Sequence, residues 1–256
     1  GSLIISGSLA ESGWTLGLDD IDLNGEVNGL PAVVRGSYAL SSEKLLVAGE
    51  LDGEVNGAVV QLRTIASGAE SGRLLLTLDD LSRWQAGSRG GVTLKADLSG
   101  ARDRLRLAGS VDNFAWDGWE SPRVDLELEA SLVGASPFTA GLMARELSLS
   151  DMTISRLQLA IQGDRNKQQA QLELEGDVAG TLKLGGQRTG EDGWHGSLQP
   201  TSIASPFGRW QLAAAVPLSW RAAQGALVID KHCWRNDETR ICARDSLAVG
   251  QTGKID

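Results

Sequence analysis

The segment Arg123-Val-Asp-Leu-Glu-Leu-Glu129 alternates without a break: Val124, Leu126 and Leu128 fall between Arg123, Asp125, Glu127 and Glu129. Successive side chains of a β-strand point to opposite faces, so this stretch reads as a strand with one apolar and one charged side. The same period of two recurs along the chain. Leu74, Leu76 and Leu78 alternate with Arg73, Leu75 and Thr77, Val92 and Leu94 flank Thr93, and Leu105 and Leu107 alternate with Arg104 and Arg106. Further on come Leu157, Leu159 and Ile161, then Leu172 and Leu174 between Gln171, Glu173 and Glu175, then Leu182 and Leu184. No stretch sustains a 3.6-residue period, and only Asp79 to Gln85 has room for a helical turn or two. The pattern predicts an all-β chain with at most short helical turns.

The turn signals agree. Asp52-Gly53, Asn28-Gly29, Asn56-Gly57, Asp117-Gly118 and Asp192-Gly193 suit the positive φ of tight hairpins, and each is predicted as a turn. The 32 glycines are scattered between short apolar runs rather than gathered in linkers. Trp14, Trp119 and Trp194 each follow a glycine directly, which predicts a turn followed by an aromatic that opens a strand. Leu23-Asn-Gly-Glu-Val-Asn-Gly29 is echoed by Leu51-Asp-Gly-Glu-Val-Asn-Gly57, and Leu16-x-Leu-Asp-Asp-Ile21 by Leu76-x-Leu-Asp-Asp-Leu81. Such echoes favour an open-ended stack of hairpins.

At roughly 12 residues per strand and turn, 256 residues hold about 20 strands, more than an open sheet carries before it curls or splits. A closed barrel of that size needs aromatic girdles and an apolar exterior, and only 5% of residues are aromatic. The expected architecture is a single elongated segment over residues 1–256, its sheet curled lengthwise into a U-shaped hydrophobic groove, a β-taco. The alternating apolar residues named above, from Leu74 to Leu184, line that groove. The competing reading closes the same residues into the dry core of a long sandwich.

A net charge of −9 without a basic cluster argues against nucleic acid and against an anionic membrane surface. No window approaches the roughly 20 apolar residues that span a bilayer. Gly1-Ser2 reads as an expression scar, with no signal peptide after it, so the chain is expected to be excised from a longer protein. His195 and His232 lie far apart and near no nucleophile motif. Asp20-x-Asp22-x-Asn24-Gly25 opens like a calcium loop, but Pro31 stands at the twelfth position, where glutamate belongs. Glu127 and Glu129, two apart on one strand, read as its solvated side rather than a glycosidase pair. No catalytic residue, metal site or cofactor is expected.

Cys233 and Cys242 are the two cysteines, with Asn236-Asp237 between them. A hairpin sets them opposite one another, and in an oxidising compartment they would bridge, for roughly 3 kcal/mol or less. Two reduced, buried thiols are the alternative. A metal site of His232, Cys233 and Cys242 is weaker, since neighbours on a strand face opposite ways.

The tail carries a resemblance. Gly193-Trp-His-Gly-Ser-Leu198, Ile203-Ala-Ser-Pro-Phe-Gly208, Trp210-Gln-Leu212, Pro217-Leu218, Cys233-Trp234 and Ile241-Cys242 resemble the middle of proteins of the TamB family, within the AsmA-like group of bridge-like lipid-transfer proteins. Leu98-Ser-Gly100, Leu105-x-Leu-x-Gly109, the Trp119 strand and Gln168-Gln-Ala-Gln-Leu-Glu-Leu-Glu-Gly176 resemble it more loosely, so residues 193–256 are the family-specific part. Where the family often has histidine, this chain has Gln168, and no role is assigned there. The resemblance implies a lengthwise-folded groove in the Gram-negative periplasm, on a protein anchored in the inner membrane. It implies phospholipid acyl chains as cargo, and an Omp85-type (TamA-like) outer-membrane partner reached by the remainder of the longer protein. Its implied role is phospholipid transport and outer-membrane biogenesis, including assembly of autotransporters. Two other readings are an extracellular β-solenoid adhesin or passenger, and a carbohydrate-binding β-sandwich using Trp14, Trp119 or Trp194 as sugar platforms.

Overall fold

The computed structural model describes residues 1–10, 13–27, 29–41, 48–64, 70–99, 103–134, 136–190, 193–221 and 225–249. Two units divide the chain, Gly1–Gly134 and Ala135–Asp256. The first is an antiparallel meander in which each strand pairs with the next: β1 (Ser2–Ala10), β2 (Gly13–Val27), β3 (Leu30–Ser41), β4 (Ala48–Val55), β5 (Ala58–Thr64), β6 (Glu70–Leu78), β7 (Ser88–Ser99), β8 (Arg104–Trp116) and β9 (Trp119–Ser131). One 3-10 turn, Leu81–Arg83, lies between β6 and β7, and the Asp80 side chain caps it by accepting from the Ser82 N–H. The second unit continues as β10 (Phe138–Leu149), β11 (Met152–Gly163), β12 (Lys167–Gly176) and β13 (Ala179–Thr189), again paired in order. The all-β antiparallel fold expected from the alternation holds, with one short helical turn inside the predicted window. No helix among the described residues is long and apolar enough to cross a membrane.

Beyond β13 the pairing forks. β14 (Gly193–Leu198) pairs with the end of β13 and β15 (Thr201–Ser205) with its start, so the two form one long strand broken at Gln199-Pro200. β16 (Gly208–Leu212) and β17 (Val216–Arg221) pair with β15 and β14, and their break is Ala213–Ala215. β18 (Ala226–Ile229) and β19 (His232–Arg235), then β20 (Arg240–Ala243) and β21 (Leu247–Val249), repeat the division. A crease therefore runs across four successive long strands. Pro200 has no N–H to give the ladder, and the lost register is bridged by the Gln199 N–H donating to the Lys183 carbonyl at 2.8 Å. Leu212 and Val216, on either side of the break, are 3% and 2% exposed, so the crease holds the best-buried apolar side chains of this unit beside Ala144.

The turn predictions divide. Asn56-Gly57 and Asp117-Gly118 take φ of 49 and 80°, and 50 and 82°, and close the β4–β5 and β8–β9 hairpins as expected. Gly29 has the predicted positive φ, while Asn28, Gly100 and Asp192 lie outside the described residues. Asp52-Gly53 is not a turn: it sits inside β4, where Gly53 faces Val34 and Val60 across the ladder and Asp52 faces Arg35 and Gln61. Register between flanking apolar rows outweighs the local dipeptide preference there. Trp14, Trp119 and Trp194 each stand at the opening of a strand, as predicted. The two Leu-Asp-Asp echoes diverge: the first bulges at Asp20, with φ 49°, and stays in β2, whereas the second leaves β6 for the 3-10 turn.

Candidate functional site

In an antiparallel ladder directly opposed residues share a face, so the register alone traces rows across each unit. In unit one, Leu62, Leu74, Ala96, Leu107 and Leu128 form one row. Val60, Leu76, Leu94, Gly109 and Leu126 form the next, and Ala58, Leu78, Val92, Val111 and Val124 the third. Leu98, Leu105 and Ala130 extend the same face. In unit two the rows are Ala144, Leu157, Leu174 and Gly180, then Leu142, Leu159, Leu172 and Leu182, then Ala140, Ile161, Ala170, Leu184 and Leu198. Every apolar position predicted from alternation thus falls on one face of its own unit.

That face is only partly withdrawn from water. Among the predicted positions Leu78 is buried and Leu126 is 41% exposed, and all the others are half-buried. No large side chain among the described residues is fully buried. A recess of about 580 Å³ on β10 to β13 is lined mainly by residues whose register places them on the opposite face, Gln162, Gln169, Gln171 and Lys183 among them, and touches two of the predicted residues, Ile161 and Leu184. The volume lies within the range of small-ligand sites.

The opposite face is charged and laced. Arg63, Arg73, Asp97, Arg106 and Glu129 make one row, in which Arg73 reaches Asp97 and Arg106 reaches Glu129, each at 2.8 Å. Arg63 stands opposite Arg73 but turns to Asp52 at 2.9 Å and Glu50 at 3.4 Å. Asp112 and Asp125 flank Arg123 and raise its pKa further, the hydrogen bond to Asp125 counting most. These pairs are well exposed, so they fix which face meets water more than they add stability.

Two aromatic rings break the uniformity of the apolar face, and neither was predicted to do so. Tyr38 on β3 is 5% exposed, lies against Gly49 of β4 and shares a 2.9 Å hydrogen bond between its hydroxyl and Thr64 of β5. Trp194 on β14 lies over Gly186 of β13, and its Nε1–H donates to Gln168 Oε1 of β12 at 2.8 Å. In each unit one ring spans a glycine and ties its polar atom two strands away. The sequence signal is a glycine inside a strand with an aromatic in reach across the next turn.

The remaining candidates settle individually. Cys233 and Cys242 are opposed in the β19–β20 ladder and joined by a disulfide, which sets aside the reduced pair and the thiol metal site. Asp22 and Asn24 lie within β2, where Asp22 meets Arg35 at 3.4 Å, and no metal-holding group of three side chains occurs among the described residues. His195 Nδ1 lies 2.6 Å from the Thr189 hydroxyl, and His232 Nδ1 lies 2.8 Å from the Asp230 carbonyl. Glu129 holds Arg106, and Glu127 stands beside it on the charged face.

The whole chain, residues 1–256, matches the family described as "TamB, N-terminal domain". The chain belongs to this TamB family. The matched domain is the N-terminal one, whereas the tail motifs pointed to the middle of such a protein. Among curated proteins it is 22% identical over 261 residues to the translocation and assembly module subunit TamB of Haemophilus influenzae. That alignment covers all of this chain and 20% of the relative, so the chain spans about a fifth of that protein's length. No solved structure matches the chain.

Proposed function

We propose that this chain shields phospholipid acyl chains along its apolar face, as one length of a periplasmic bridge between the inner and outer membranes that serves outer-membrane biogenesis and protein assembly. The observation that carries the reading is the half-buried state of the apolar rows. Residues such as Leu76, Leu94, Leu159 and Leu172 are ordered in rows, yet they are half-buried and do not reach the burial of a core. An acyl chain laid along them completes that burial. Each buried methylene contributes about 0.8 kcal/mol, so a chain of about 15 carbons gains on the order of 10 kcal/mol gross. Because successive rows repeat the same Leu, Val and Ile surface, a lipid slides between them with little change in free energy, and its headgroup stays wet at the open side.

Several features support the setting. The related H. influenzae protein carries the name of a translocation and assembly module subunit, which fits a partner in an assembly machine. We take that partner to be an Omp85-type outer-membrane protein, met by parts of the longer protein outside this chain, with the inner-membrane anchor likewise outside it. A disulfide between Cys233 and Cys242 suits the oxidising periplasm. The reading assigns no catalytic residue and no cofactor.

The test is native mass spectrometry of the chain purified from the periplasm of a Gram-negative host, followed by organic extraction. Phospholipid bound in stoichiometric amount is the expected result. A chain that emerges lipid-free and takes up no lipid from vesicles would reject the reading.

A further inference from the structure

The disulfide of the β19–β20 hairpin lies among cations. Cys233 and Cys242 are opposed in the ladder, and the next row on the same face, toward the turn, is Arg235 opposite Arg240. Lys231 and Arg244 stand one residue beyond the ladder at its other end, next to His232 and Ala243. All four cations are exposed, and none is ion-paired among the described residues. One of them touches the bridge: Arg240 Nη2 donates to Cys233 Sγ at 3.1 Å.

The two cysteines are therefore unequal. Cys242 is exposed, whereas Cys233 is half-buried and carries the arginine contact. In thiol–disulfide exchange a thiolate attacks the sulfur it can reach, and the bond breaks fastest when the other sulfur leaves as a stabilised thiolate. Neighbouring cations supply that stabilisation. Both conditions point the same way here: attack falls on Cys242, and Cys233 departs onto the Arg240 guanidinium. The hairpin also has a closure of its own. The Asn236 N–H donates to the Thr239 carbonyl at 2.9 Å, and Asn236 Oδ1 accepts from the Glu238 and Thr239 N–H groups at 3.0 and 2.6 Å. Opening the bridge leaves that turn in place, so the two sulfurs stay within reach of closing it again.

We infer that Cys233–Cys242 is a thiol–disulfide exchange site for a protein dithiol of the Cys-x-x-Cys kind, with Cys242 as the attacked sulfur and Cys233 as the leaving one. In the first step a thiolate of the dithiol bonds to Cys242 Sγ while the bond from Cys242 to Cys233 breaks, and the electron pair of that bond goes to Cys233, held by Arg240. In the second step the other thiol of the dithiol, having lost its proton, attacks the dithiol's own sulfur in the mixed disulfide, and Cys242 leaves as a thiolate. The dithiol is oxidised to a disulfide, its two electrons reduce the cysteine pair, and its two protons pass through water to the two cysteine sulfurs. The bridge stands beside the crease, since Trp234 is opposed to the buried Leu212 on one side and to Ile241 on the other. Exchange therefore releases or restores a covalent tie next to that crease.

The test uses the full chain with two probes, reduced glutathione to locate the attacked sulfur and reduced thioredoxin as the dithiol, each reaction quenched with iodoacetamide and read by peptide mass spectrometry. In the wild type glutathione is expected on Cys242 and the alkyl group on Cys233, in about tenfold excess over the reverse, the scale of one charge-assisted contact to the leaving sulfur. Arg240→Gln should slow reduction by thioredoxin about tenfold and narrow the preference for Cys242, Arg240→Lys should keep part of both, and Arg63→Gln, in unit one, should change neither. A wild-type adduct mainly on Cys233, a disulfide that thioredoxin leaves intact, or a rate unchanged in Arg240→Gln overturns the exchange site. If Arg240→Gln does not fold, the adduct position and the thioredoxin reaction of the wild type decide.

Discussion

Gly186→Ala offers a sharp test of the ring strap in unit two. Gly186 lies in a β13 segment of ordinary extended backbone, where alanine would normally stabilise by about 0.5–1 kcal/mol through the unfolded chain. Here the added Cβ would sit 2.1 Å from Trp194 Cζ2 and 2.5 Å from Cε2. The indole has to leave its seat. A tryptophan buries about 150–250 Å² in a core, so a half-buried ring that swings out loses about 100 Å², or about 2.5 kcal/mol. The broken bond to Gln168 adds about 1 kcal/mol. Set against the backbone gain, the variant should unfold about 2–3 kcal/mol more easily in urea, with red-shifted tryptophan emission. In a Trp194→Ala background the same substitution should cost at least about 1.5 kcal/mol less, since the clash with the ring is gone while the 2.6 Å approach to the His195 carbonyl remains. A cost below about 0.5 kcal/mol, or the same cost in both backgrounds, would refute the strap.

Other substitutions follow from the same geometry. Gly53→Ala should be neutral or stabilising by up to about 1 kcal/mol, because Gly53 is extended within β4 and a Cβ there meets nothing closer than 3.5 Å; a turn glycine would instead lose stability on urea titration. Replacing Cys233 and Cys242 by serine should remove about 2.5 kcal/mol from unit two, and dithiothreitol should lower the wild type to the same level in thermal melts. Arg63→Gln should cost less than about 1 kcal/mol, with the difference shrinking further in 1 M salt, since its partners are exposed. The Asp80, Asp164 and Asp230 carboxyls are held below the usual carboxylate range, chiefly by hydrogen bonds from Ser82, from the Lys167 N–H and from the Lys231 N–H. With folded pKa values below the unfolded one, their contribution is complete above about pH 4 and disappears as pH falls through the lower folded values. Stability measured by urea melts should therefore fall between about pH 4 and pH 2, and a flat profile there would contradict these contacts.

Much of the fold was legible because a period of two is a direct statement about faces: Val124, Leu126 and Leu128 cannot alternate with four charged residues and be anything but a one-sided strand. The hairpins at Asn56-Gly57 and Asp117-Gly118 were legible for a similar reason, since positive φ at both central positions demands such residues. Asp52-Gly53 misled because a dipeptide reports local preference, while the opposed Val34 and Val60 decide register. The crease was not legible: Pro200 marks one of its four breaks, but Ala213–Ala215 and Arg244–Ser246 carry no strong signal, and only pairing aligns them. The candidate lining was legible as a face. Whether anything covers that face was not, because a sandwich core shows the same alternation. The Tyr38 and Trp194 straps join residues on three strands, so the strand glycine across the turn is a signal that only the pairing turns into a contact.

Leu76→Asp combined with Leu94→Asp distinguishes most directly the open lining proposed for the apolar rows from a dry core. These residues are opposed in the middle row of unit one and both are half-buried. Lipid uptake from phospholipid vesicles and cooperative unfolding in urea are measured on the same preparation. An open lining predicts that the double variant still unfolds cooperatively, weakened by about 2–4 kcal/mol for the lost apolar burial and the two opposed carboxylates, while lipid uptake disappears. Collapse of the fold, as a sealed core requires when two charges enter it, or undiminished lipid uptake in a folded variant, would contradict the account.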